Sequence, residues 1–120
     1  MVQKENVPIK SYQHCLTEFK LINTGVEWMI FQHKYPVSDQ VHLIHQAINK
    51  GINVLEKRII KPPSENRLYQ KDQTDLLDLL EESLNTCSEI IGSDMKWLEL
   101  CLNILKIAVY THLSIKKLTP

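Results

Sequence analysis

The chain has 120 residues, 43% hydrophobic and 23% charged, with 14 Lys+Arg against 14 Asp+Glu and a formal net charge of zero. That length fits one domain, residues 1–120, able to bury its own core. The charge balance argues against a dedicated nucleic-acid binder, which carries a basic excess, and against a polybasic membrane-surface protein.

Only three glycines and five prolines punctuate the chain, which favours long helices over many short strands. Residues 1–9 hold no apolar run, so they are expected to be a flexible lead rather than a signal peptide. The first helix is predicted from about Lys10 to Lys34. Its apolar stripe is Tyr12, Leu16, Phe19, Ile22, Val26, Met29 and Ile30, at steps of three and four. It stops before Pro36, because a residue preceding proline is pushed out of the helical region. A second line, Leu21, Trp28 and Tyr35, recurs every seven residues, and a stripe facing one core does not require it.

The second helix is predicted over Asp39–Ile60, with Ser38 or Asp39 as cap and Val41, Ile44, Ile48, Ile52, Leu55 and Ile59 as its stripe. Lys57, Arg58 and Lys61 sit at its C-terminal end, where cations oppose the helix dipole favourably. "PPSENRLYQKDQ" is expected to be the one longer loop. A third helix follows from about Thr74 to Ile91, capped by Asp72 or Thr74, with Leu76, Leu77, Leu80, Leu84, Cys87 and Ile91 inward. "IIGSDMKW" is a helix stop and restart: Gly92 suits a left-handed cap, and Ser93 or Asp94 can cap the next helix at once. The fourth helix, about Met95 to Lys117, carries more apolar residues than a single core-facing arc of about 100° needs. Glu99, Asn103, Lys106 and His112 interrupt it, so it is read as a buried helix and not a membrane span. The expected fold is all-α: an antiparallel four-helix bundle with a tight hairpin between the third and fourth helices.

Chemistry-bearing patterns are sparse. His42 and His45 share one helix face, on the polar line His42, His45, Asn49, Asn53, Glu56, and are expected to face solvent. Zinc needs three or four convergent ligands, and the metalloprotease pair stands at i and i+4 with a glutamate beside the first histidine. Here the spacing is three and Leu43 follows His42. His112 and Lys106 complete the list of candidate polar-site residues. Cys15, Cys87 and Cys101 are odd in number and without a CxxC, so they are expected to be small buried hydrophobes in a reducing, cytoplasmic setting. Neither a phosphate loop nor a catalytic signature occurs, and no metal or cofactor is expected.

The stretch "INTGVEWMIFQHKYPVSDQVHLIHQAINKGINVLEKRI" resembles, in the rhythm of two long helices about a short break, the front half of HEPN domains. That resemblance covers about a third of the chain. It implies a small all-α domain and RNase activity carried by an Arg followed by His four to six residues on. Lys106 and His112 have the spacing but not the arginine, so the resemblance implies at most a degenerate site in a nucleic-acid-processing or toxin–antitoxin-type domain. In size and bundle pattern the chain is also similar to bacteriocin immunity proteins, without a matching motif.

The reading that follows from the residues themselves is a non-catalytic helical protein acting through protein–protein contact as an adaptor, regulator or immunity-type binder. Leu21, Trp28, Tyr35, Trp97 and Tyr110 are its candidate contacts, because aromatic residues dominate interface energetics. Self-association as a homodimer is its most economical form, since zero net charge leaves no long-range repulsion between copies.

Overall fold

The computed structural model describes residues 9–32, 39–61, 66–88 and 93–113. They form four helices: α1 (Ile9–Gln32), α2 (Asp39–Ile60), α3 (Asn66–Cys87) and α4 (Ser93–His112). Among the described residues there is no strand, and no helix is long and apolar enough to cross a membrane.

The helices pack in a ring, α1 against α2, α2 against α3, α3 against α4 and α4 against α1. Cross-helix pairs fix their directions. Along α1 and α2, Lys20 meets Glu56, Asn23 meets Asn49 and Glu27 meets His45, so numbers rise on one helix as they fall on the other. The same opposition holds across α2 and α3, where Arg58 meets Asp72 and Gly51 lies by Leu76, and across α3 and α4, where Lys106 meets Glu81 and Glu99 lies near Cys87. Across α4 and α1, Cys15 donates to the Ala108 carbonyl, and Gly25 lies against Trp97. Every neighbouring pair is antiparallel, which also opposes their dipoles.

The core is built from the stripes read in sequence. Tyr12, Phe19, Val26 and Met29 of α1 are buried with Val41, Ile44, Ile48, Ile52 and Leu55 of α2. Leu76, Leu80 and Cys87 of α3 meet Leu98, Leu102, Leu105 and Val109 of α4. Each fully buried Leu, Ile or Phe contributes roughly 1.5–3 kcal/mol, so these stripes outweigh any one polar contact.

Residues 66–73, expected in the loop, are instead the first two turns of α3. The stripe of α3 extends upstream of Leu76 through two residues that a hydropathy pattern does not count together: Tyr69 and Asp72, both buried. Asp72 is thus not a helix cap but an acceptor inside the fold, and the connection from α2 is residues 61–65 only. The connection between α3 and α4 lies mostly outside the described residues, as do Tyr35, Ile91, Gly92 and the last predicted turn of α4, residues 114–117.

Candidate functional site

The outward side of the α1/α4 seam is apolar. Gly25 brings the two helices together: a Cβ at this position would stand 2.9 Å from the Trp97 ring. Leu21 and Trp28 sit one helical turn either side of Gly25, 66% and 67% exposed. On α4, Leu100 and Ile107 are 61% and 63% exposed, while Trp97 and Ile104 are 38% exposed at the seam. Six side chains at these exposures leave on the order of 600 Å² of apolar surface, the upper edge of what a monomeric protein shows in one patch.

Two regular lines make this face. On α4 it is Trp97, Leu100, Ile104, Ile107 and Thr111, alternating steps of three and four. On α1 it is Thr17, Leu21, Thr24 and Trp28, with the same alternation. Thr17 and Thr24 donate their hydroxyls back to the Gln13 and Lys20 carbonyls, at 3.0 and 2.9 Å, so they ask for no polar partner. Much of the charge is turned away: Lys20 and Glu27 bond to α2, and Lys106 to α3, while Lys96 stands exposed one turn before Leu100. A depression of about 190 Å³ lies on the seam, with Ile104, Ile107 and Ala108 lining it beside Glu18.

The structure brings Leu21, Trp28 and Trp97 onto this one face. Tyr110 is exposed too, but it stands one turn beyond Lys106, on the side of α4 that meets α3. Tyr35 lies outside the described residues.

The polar candidates do not converge. His42 is exposed. His45, expected in solvent with it, is instead half-buried in the α1/α2 seam, its Nε2 3.2 Å from Glu27 Oε2 and 3.3 Å from Asn49 Nδ2. The polar line of α2 is therefore largely an inter-helix seam, since Asn49 also accepts from Asn23 and Glu56 pairs with Lys20. A single Nε2 cannot donate to Glu27 and accept from Asn49 at once, so each tautomer makes one of these bonds. His112 is at the other end of the bundle, edge-on to His14 with ring centroids 4.9 Å apart. Glu27 and His14 are thirteen residues apart on α1, so the two histidine sites are separated by about 20 Å. Lys106 is bonded to Glu81, which raises the lysine's pKa. Among the described residues no group of three His, Cys, Asp or Glu side chains is placed to hold a metal ion.

A buried polar cluster went unread in the sequence. Asp72 Oδ2 accepts from Tyr12 at 2.9 Å and from Arg58 Nε at 2.8 Å. The Tyr12 and Tyr69 rings meet edge to face at 5.7 Å, and Tyr69 donates to the His112 carbonyl at 2.8 Å. Five residues thus join all four helices at one end. The sequence pattern makes Arg58 a helix-end cation, Asp72 or Thr74 a cap and Tyr69 part of the loop. The only available signal was that Tyr69, Leu76, Leu80, Ser83 and Cys87 continue one helical face.

Burial also sets the acid–base behaviour of this end. The Cys15 thiol is pushed from 9.0 up to about 12, chiefly by burial and then by the charge of Glu18. Tyr12 is pushed far above its ordinary value, first by burial and then by its bond to Asp72. A raised folded-state pKa means the folded chain holds its proton more tightly than the unfolded one. That stabilisation is complete below the unfolded value and is lost as pH climbs toward the folded one. The thermal midpoint is therefore expected to be insensitive to these groups below pH 9 and to fall steadily between about 9 and 12. Melting curves at successive pH values test this, and Cys15→Ala should flatten the decline; a midpoint flat across that window would contradict it. Compared with family models, curated proteins and solved structures, the chain matches none.

Proposed function

We propose that this is a non-catalytic helical protein that works by protein–protein contact, with the α1/α4 face as its docking surface. The observation that carries the reading is the charge-poor patch formed by Leu21, Trp28, Trp97, Leu100, Ile104 and Ile107. Apolar surface of that extent, with its threonine hydroxyls already satisfied, stabilises contact with a partner more than contact with water. The adaptor, regulator and immunity-type roles share this requirement, and the face does not choose among them. No observation favours the nuclease reading: Lys106 is engaged by Glu81, and His112 packs on His14.

A photo-crosslinking residue at position 21 or 107, in the cells that make the protein, tests the reading. One adduct of discrete mass is expected from each position, none from position 53 on exposed α2, and loss of the adduct when Leu100→Lys is added. Equal labelling from all three positions, or none from 21 and 107, would remove the docking surface.

A further inference from the structure

We infer that the α1/α4 face is a helix-pairing seam and that its occupant is a second copy of this chain. The inference rests on the docking surface proposed above and names its partner.

Spacing comes first. Toward its own bundle α4 buries Leu98, Leu102, Leu105 and Val109, at alternating steps of four and three. Its outer line, Trp97, Leu100, Ile104, Ile107 and Thr111, is a separate set at alternating steps of three and four. That is the 3.5-residue repeat by which one helix packs knobs into the holes of another. The line on α1, Thr17, Leu21, Thr24 and Trp28, has the same repeat. Two helices side by side, each with its own outward repeat, fit a pair of helices rather than a strand or an extended peptide. The depression beside Ile104 and Ile107, about 190 Å³, is a hole of the required kind.

Composition and area then select the occupant. Permanent homodimer faces are more apolar and poorer in charge than transient ones. Here Lys20, Glu27 and Lys106 are tied to α2 and α3, which leaves Glu18 and, one turn before Leu100, the exposed Lys96 as the charges beside the face. Glu18, Thr111 and His112 line the depression together with its apolar residues. An exposed apolar area on the order of 600 Å² approaches the roughly 800 Å² that each partner contributes to a standard stable interface. A second copy carries the same two helices with the same repeat, and a two-fold axis through the face closes the assembly at two. With zero net charge, two copies meet without long-range repulsion. In the pair, Leu100 and Ile107 of each copy are the knobs between the helices of the other.

Sedimentation equilibrium of the purified full chain over a dilution series tests this. A mass twice that of the 14.0 kDa chain is expected. Leu100→Lys and, separately, Ile107→Lys should each weaken the dimer at least ~100-fold, about 2.7 kcal/mol, with helicity by circular dichroism unchanged because both side chains are exposed. Asn53→Lys on α2 should leave the dimer intact. A monomer at every concentration up to about 1 mM, or a dimer indifferent to both lysine variants, overturns the inference. A monomer whose position-107 crosslinker still captures one different protein overturns the second copy alone. A monomer with no adduct removes the docking surface as well.

Discussion

Asp72→Ala is expected to lower the unfolding free energy by about 3–5 kcal/mol, a large part of what holds a domain of this size together. The carboxylate is nearly inaccessible, and the Arg58 side chain that pairs with it is itself only 27% exposed. Removing the acid leaves a guanidinium in a half-dry site and takes the acceptor from the Tyr12 hydroxyl, which is fully buried. A buried donor without its partner costs about 1–3 kcal/mol on its own. Chemical denaturation of Asp72→Ala, Tyr12→Phe and the double variant apportions the two bonds, because residues sharing one acceptor do not add. A loss under about 1 kcal/mol for Asp72→Ala would mean the pair is solvated and the cluster carries little. Replacing Arg58 and Asp72 together by apolar residues of similar volume should recover much of the loss.

Gly51→Ala is expected to destabilise by about 1–2 kcal/mol, although alanine is the better helix former by about 1 kcal/mol. The reason is steric. A Cβ at position 51 would stand 2.6 Å from Phe19 Cε2 and 3.4 Å from Leu76 Cδ2. Phe19 is fully buried, so its ring has nowhere to go, and α1 and α2 must separate. Gly25→Ala is the control. The atoms it meets belong to the outer rim of the Trp97 ring, which is 38% exposed and can swing outward. There the helix-propensity gain and the displacement should nearly cancel, with a change in tryptophan emission as the sign that the ring moved. Equal costs at the two glycines, read from urea denaturation, would refute this account.

The parts of the fold that follow from apolar periodicity were legible in the sequence. The stripe of α2 names its buried residues nearly one for one, and that of α1 names Tyr12, Phe19, Val26 and Met29 while Leu16, Ile22 and Ile30 are only partly buried, because burial there is a matter of hydrocarbon and helical repeat. What escaped was polar. Asp72 is buried through its partners, and those partners are 14 and 60 residues away, on α2 and α1. A pattern along one helix does not contain them, so the two turns of α3 around Tyr69 look like loop. His45 and Asn49 failed for the related reason that a polar line is read as a wet one, whereas here α1 supplies complementary groups opposite it. The apolar α1/α4 face proposed for docking was half legible. The surplus apolar residues of α4 and the seven-residue line of α1 stood out, but that Leu21 and Trp28 flank the helix carrying Trp97 needed the ring order. Tyr110, equally aromatic, turns elsewhere for the same topological reason.

Three of the four seams join helices that follow one another in the chain; the fourth joins α4 back to α1. The Cys15 to Ala108 contact that marks it spans 93 residues, and the His14–His112 ring contact on the same seam spans still more. Closing so long a loop costs more entropy than closing any hairpin, though the cost grows only logarithmically. The apolar surface shared by Leu21 and Leu100 exists only once that closure has been made. A molecule binding across both helices therefore binds the closed ring and not the open one, and shifts the balance between them by mass action. Opening of the ring and release of the partner become one equilibrium, so the melting temperature should rise with protein concentration wherever that partner is the chain itself.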